Sequence, residues 1–186
     1  MSHTGLILLI VGIVVVVAAG LILYKMQQTK RLRARFGPEY TRAVQESGSA
    51  IRGEARLAKL EKRVERFNIQ PLSAAERERF VEAWRGVQAN FVDAPQRAVL
   101  EADHLVAQVM TVRGYPVSDF DQQAEDLCVN HPLVVENYRA GHEIAVRHSR
   151  GRASTEELRQ AMIHYRKLFA DLAEEPELVR SQAAGR

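Results

Sequence analysis

Residues 6–24 (LILLIVGIVVVVAAGLILY) hold no charged side chain, and the next eleven, 25–35, carry five positive charges and no negative one. Nineteen residues at the α-helical rise span about 28 Å, close to the hydrocarbon thickness of a bilayer. Val and Ile dominate the run, yet it is too long for a buried strand, and an open strand in lipid would leave its backbone groups unsatisfied. The pattern therefore predicts a transmembrane helix over 6–24, with Tyr24 at the interface where aromatics collect. Before it, residues 1–5 form a short tail whose only ionisable groups are the α-amino group and His3. Lys25, Lys30, Arg31, Arg33 and Arg35 follow directly after it. Basic residues resist translocation, so the expected orientation is N-terminus outside and C-terminal domain in the cytoplasm.

The rival reading is a cleaved signal peptide, since Ala18, Ala19 and Gly20 put small residues together. Against it, no Lys or Arg precedes the run, four more apolar residues follow the small cluster, and the basic stretch opposes export. Gly5, Gly12 and Ala19 recur every seven residues. They would let two copies approach in the membrane as a homodimer, although Gly is common in such helices without that role.

Charge divides the remainder. Residues 25–66 contain twelve Lys/Arg against five Glu, a net +7, while the whole chain is at +3, so 67–186 carries −4. A basic stem leads to a mildly acidic body. Lys25, Lys30, Arg31, Arg33 and Arg35 are the candidate membrane-surface residues, and anionic lipids are the partner they suit, at about 1 kcal/mol each near an anionic leaflet. Over 52–66, Glu54, Glu61 and Glu65 interleave with the basic residues, as on an ordinary solvated helix. No nucleic-acid recognition motif or interleaved aromatic set accompanies the charge, so nucleic acid is not an expected partner. The lone cysteine, Cys128, excludes an intramolecular disulfide and a cysteine zinc site, and its apolar neighbours suit a packed thiol.

Everything beyond the apolar run reads as helix, so the expected class is all-α: one transmembrane helix, a basic helical stem over 25–70, a bundle of about five helices over 71–173, and a flexible tail over 174–186. The stem helix should run to Phe36, break at Gly37-Pro38, resume with Phe36, Tyr40 and Val44 on one side, and break again at Gly48-Ser49. Leu57, Leu60, Val64 and Phe67 take a/d spacing over two heptads, too few for a coiled coil. In the bundle, Ser73 and Glu76 form a capping box ahead of Phe80, Val81, Trp84 and Val87. Asp93 with Pro95 opens the next helix, whose stripe is Ala98, Ala102, Leu105, Val109 and Val112, with Gly114 as its stop. Ser118 is the expected cap of a helix bearing Phe120, Ala124 and Leu127, and Asn130 with Pro132 opens one bearing Val134, Val135, Tyr138, Ile144 and Ala145. Ser154 and Glu157 cap the last, with Leu158, Met162, Tyr165, Phe169 and Leu172 on one face.

Chemistry is harder to find. His104 shares a polar face with Arg97, Glu101 and Gln108, and His131 precedes a proline in a turn. His142 and His148 stand six apart, so they cannot form an i, i+4 pair. His142 and His164 border apolar faces and would meet if their helices packed together, but no third ligand is identifiable for a metal. Glu101, Asp103, Asp119, Asp121, Glu125 and Asp126 fall on expected exposed faces or at helix starts, where acids favour the dipole. No phosphate loop, G-x-S-x-G or H-E-x-x-H occurs. No catalytic residue, metal or cofactor is assigned, and the chain does not read as an enzyme; the one enzymatic alternative would centre on Tyr138, His142 and His164.

Four segments carry a resemblance: RLRARFGPEYTRAV (31–44), PLSAAERERFVEAWRGVQANFVDAP (71–95), RGYPVSDFDQQAEDLCVNHPLVVENYRAGHEIA (113–145) and STEELRQAMIHYRKLF (154–169). Together they resemble a group of uncharacterised bacterial helical proteins, usually described as hypothetical, membrane or secreted. The resemblance implies a bacterial source and a helical domain behind an N-terminal anchor, and brings no activity, cofactor or site residue. The expectation is a single-pass protein of the bacterial inner membrane whose cytoplasmic domain acts as an interaction or scaffold module with a protein partner. The alternative is an exported, periplasmic domain.

Overall fold

The apolar run and the basic residues behind it lie on one helix. The structure is a computed structural model and describes residues 3–150 and 152–173; the tail expected from Glu174 lies outside these residues. α1 covers His3–Phe36, 34 residues or about 51 Å of helix, and nothing interrupts it at Lys25. From residue 11 to 27 every side chain is exposed. Among the described residues α1 alone is long and apolar enough to cross a membrane, with a mean hydropathy of 1.7 over its apolar window and none of that window buried.

Seven further helices follow and no strand occurs among the described residues: α2 (Pro38–Ser47), α3 (Ala50–Val64), α4 (Ala74–Asp93), α5 (Pro95–Val112), α6 (Phe120–Asn130), α7 (Val135–Ser149) and α8 (Thr155–Ala173). The fold is all-α. It divides into two compact units, Met1–Ala58 and Lys59–Arg186.

In the first unit α1 ends where the sequence says it should. Gly37 takes φ 50°, a left-handed value that a side chain at this position would strain, and Pro38 starts α2 with φ already fixed for a helix. Gly48, at φ 65°, closes α2, its N–H bonding the Gln45 carbonyl. α3 then packs back on α2 at close range. A Cβ on Gly53 would lie 2.9 Å from the Val44 Cα and 3.1 Å from the Ala43 carbonyl carbon, so only a glycine fits. The Glu54 carboxylate ties three helices, accepting bonds from Thr29 Oγ1 of α1 (2.7 Å) and Tyr40 Oη of α2 (2.9 Å). Glu46 of α2 accepts from both Arg42 and Arg56, each at 2.7 Å. The buried apolar side chains here are Leu32, Phe36, Tyr40, Ala43 and Leu57. Ala43 takes the buried place expected for Val44, which is half-buried.

In the second unit α5 lies between α4 and α8, with α7 against α8 and α6 against α7. Ala98, Val99, Ala102, Val106 and Val109 of α5 are all fully buried. The expected stripe caught three of these and missed Val99, Val106 and Met110, while Val112 is exposed. Trp84 of α4 stacks on Phe169 of α8 at 4.9 Å, and the whole expected face of α8 is buried. Both serine capping boxes form: Ser73 with Glu76, and Ser154 with Glu157. Three helix starts differ from expectation. Asp93 ends α4, and Ala94 precedes Pro95 with no side-chain cap, because a proline at the first position leaves one donor fewer to satisfy. Asp119, not Ser118, caps α6 by accepting from the Gln122 N–H. Asn130 ends α6 and gives its amide to Tyr115 Oη, so α7 begins only at Val135.

Replacing Gly53 tests the α2–α3 contact. Alanine inside a helix normally gains about 1 kcal/mol over glycine, but its methyl here meets backbone that cannot swing aside, and overpacking costs about 1–3 kcal/mol. Gly53→Ala should therefore be net destabilising and raise proteolytic cutting between residues 37 and 53, whereas Gly86→Ala, where a Cβ meets nothing within 4 Å, should not.

Candidate functional site

Two places in the second unit gather polar groups or open surface. The first lies where α5, α6, α7 and α8 converge. Asp103 of α5, two-thirds buried, accepts a 2.8 Å hydrogen bond from Tyr165 Oη of α8, and His142 Nδ1 of α7 lies 3.7 Å away. The His142 ring stacks face to face on Phe120 of α6, centroids 3.6 Å apart and planes 6° from parallel. Phe120 also meets Tyr138 at 4.7 Å, and Tyr138 donates to Gln123 Oε1 at 2.9 Å. Burial, with the Asp103 charge behind it, pushes both phenols well above the usual tyrosine range. They remain protonated donors at any physiological pH, which suits cross-linking of helices and not acceptance of a proton.

α7 and α8 do pack together, but their histidines go to different partners. His164 Nδ1 pairs with Asn137 Oδ1 at 2.9 Å, and burial, aided by Lys167, holds it below the ordinary imidazole pKa. His142 turns to Phe120. Tyr138 and His142 thus share Phe120 as a neighbour, while His164 is paired separately with Asn137. His104 is exposed and bonds Gln108, as its helix face implied. His131 is buried and pairs with Asp171, joining the end of α6 to α8. Cys128 is buried. Among the described residues no three His, Cys, Asp or Glu side chains are placed to hold a metal ion.

Asp126 departs from its expected exposure. Its side chain is 1 % exposed and meets Arg63 Nη2 at 3.2 Å and Gln122 Nε2 at 3.3 Å. Burial raises its pKa and the Glu125 charge adds to the rise, while Arg63 and Gln122 work against it. Arg113 is also buried and donates to the Leu172 carbonyl at 3.0 Å, near the end of α8.

The second place is a groove between α4 and α5. Ala83 and Gly86 leave α4 without bulk along one strip, and Val87 and Leu105 lie beneath it. One stretch, about 580 Å³, is edged by Asn90, Arg97 and Glu101; the adjoining one, about 650 Å³, reaches Arg79, Thr111 and Val117. Both share Ala83, His104, Leu105 and Gln108. Its edges are already paired, Asn90 and Arg97 both bonding Glu101 at 3.0 and 2.6 Å.

The five basic residues assigned to a membrane surface all lie on α1. Lys25, Lys30, Arg31 and Arg33 are exposed and Arg35 half-buried. At 100° per residue they surround the helix as a collar, and the Arg33 guanidinium sits 5.1 Å above the Tyr40 ring. On α3 the acids expected to interleave with the basic residues on a solvated helix point elsewhere: Glu54 reaches α1 and α2 and Glu61 is buried, while Arg52, Arg56, Lys59 and Lys62 are exposed.

No family model matches the chain. No curated protein and no solved structure matches it either.

Arg63→Gln should expose the dependence of Asp126 on its partner. A buried carboxylate left with one amide donor costs about 1–3 kcal/mol at neutral pH. The native carboxyl pKa is already raised, so the folded state binds its proton more tightly than the unfolded state does. The penalty of the ionised form is therefore lost as pH falls through that raised pKa. Denaturant unfolding of the full chain in detergent should show the deficit at pH 7 and a smaller one in mild acid; an equal deficit at both would refute the coupling.

Proposed function

We propose that the chain is a single-pass protein of a bacterial inner membrane, with its N-terminus outside and its helical second unit acting in the cytoplasm as an interaction or scaffold module. The observation that carries this is the exposure of α1. Nine large aliphatic side chains (Val11, Ile13, Val14, Val15, Val16, Val17, Leu21, Ile22 and Leu23) are each 53–72 % exposed. At about 1.5–3 kcal/mol for burying each fully, their hydration amounts to roughly 10 kcal/mol or more. That is comparable to the entire stability of an ordinary domain, and a bilayer removes it. The collar from Lys25 to Arg35 supports the orientation through the resistance of basic residues to translocation. The interaction role is supported by the open α4–α5 groove and by the use of the polar cluster around Asp103 in joining helices.

Reporter fusions at the C-terminus test the topology. A fluorescent protein should be bright there and alkaline phosphatase inactive; the reverse pattern would overturn the orientation. Intact-mass measurement of the protein extracted from membranes should give the uncleaved chain, and a species starting at Leu21 would establish a signal peptide instead.

A further inference from the structure

The first unit holds an apolar side chain that its own interior does not use. Ile51, in the first turn of α3, is 67 % exposed, and Arg52 beside it is exposed as well. Where this turn lies follows from the packing of the unit. α1 and α2 are in contact and only Gly37 separates them, so α2 doubles back along α1. Its ten residues return about 15 Å, the rise of ten residues of α1, which brings Gly48 to about the level of Met26. The hydrogen bonds give the same register independently: Glu54, one turn after Ile51, receives Thr29 of α1 and Tyr40 of α2. α3 leaves that level in the opposite direction to α2, with Gly53 against Val44. Ile51 is thus carried to the level where the apolar run gives way to Lys25.

The charges around it are mainly positive. Of the nearby acids among the described residues, Glu46 is occupied by Arg42 and Arg56 and Glu54 by Thr29 and Tyr40. Lys25, Lys30 and Arg52 have no ion pair among the described residues. An exposed aliphatic side chain set among unpaired cations is the composition of surfaces that rest on anionic bilayers.

We propose that the α2–α3 turn is a second membrane contact: Ile51 enters the boundary between headgroups and acyl chains, while Arg52, Lys25 and Lys30 engage anionic lipid headgroups. The contact rests on the reading of α1 as a membrane span. It assigns the turn a role beyond linking two helices, since it fixes the first unit upright against the leaflet and makes its seating depend on lipid charge.

The test uses the full chain with Cys128→Ala and one new cysteine, Ile51→Cys, Thr41→Cys or Val16→Cys, each carrying an environment-sensitive fluorophore. The proteins are reconstituted in vesicles of phosphatidylcholine alone or mixed with phosphatidylglycerol. Thr41 is exposed on α2 farther from the apolar run, and serves as the aqueous reference in the same background. The labels at positions 16 and 51 should be blue-shifted and quenched by lipid-borne quenchers, and the label at 41 should not. The shift at 51 should grow with phosphatidylglycerol, and Arg52→Gln together with high salt should remove that increase. A label at 51 that behaves like the one at 41, with the one at 16 still in hydrocarbon, overturns the second contact and leaves the anchor intact. A label at 16 in water overturns both. A shift at 51 that is equal in the two vesicle types removes the headgroup part.

Discussion

α5 is covered on several sides, and most of its buried side chains are small, with Leu105 and Met110 the larger exceptions; the second unit depends on that. Ala98 and Ala102 are fully buried with Val99, Val106 and Val109, so the helix offers a low surface into which α4 and α8 settle. The bulk is supplied from the other side: Phe80 and Trp84 from α4, Tyr165, Leu168 and Phe169 from α8. Large side chains on α5 as well would push the neighbouring axes beyond the 8–10 Å at which helices interlock. The stack of Trp84 on Phe169 shows how near α4 and α8 come to each other around α5. Two acids of α5 are met by its neighbours, Glu101 by Asn90 of α4 and Asp103 by Tyr165 of α8.

The same division of labour recurs in the charges. Glu54, Asp103 and Asp126 are turned toward other helices, where each accepts bonds from elsewhere in its own unit. Most basic residues remain outside. A carboxylate is compact and accepts several bonds from different directions, so it can join three helices as Glu54 does. A lysine or arginine keeps its long stem along the surface and its charge in water. The consequence is a surface more basic than the composition of its segment. Residues 52–66 hold six Lys/Arg against three Glu, and with Glu54 turned to α1 and α2 and Glu61 buried, Arg52, Lys59 and Lys62 are left facing out.

What was legible in the sequence was local. Gly37-Pro38, Gly48, and the boxes of Ser73 with Glu76 and Ser154 with Glu157 are each written within four residues, and each appears in the structure as read. The apolar faces of α4 and α8 were legible because each is buried along a single stripe. α5 is buried on several sides, and a single stripe could not contain Val99, Val106 and Met110. Ser118 and Asp119 are both good caps, and the choice between them was set by one residue of register. Asp126 was misread because nothing within α6 announces its partner: Arg63 is sixty-three residues away. The pairing of His142 with Phe120 fails to show for the same reason, since the packing of α6 on α7 brings the rings together and their spacing in the chain carries no trace of it.

The knot formed by α2, α3 and the end of α1 raises a question of stability that a bilayer would answer if α1 is embedded as proposed. Between residue 25 and Ala58 there are thirty-four residues, and five buried apolar side chains lie among the described residues of the first unit. Segments below about forty residues seldom hold a fold by apolar burial alone. The largest opposing term is the loss of backbone freedom, about 1–2 kcal/mol per residue. A helix embedded in a bilayer has already met that cost, because every backbone group in hydrocarbon must be bonded within the helix. With α1 held in that way, as proposed, residues 25–36 continue a helix that is already nucleated. Only α2 and α3 then remain to be ordered, against a fixed template that presents Thr29, Leu32, Arg33 and Phe36 in register. The carboxylate of Glu54 and the bare backbone at Gly53 suffice for that smaller task. On this argument the membrane acts as part of the fold of the first unit as well as its location.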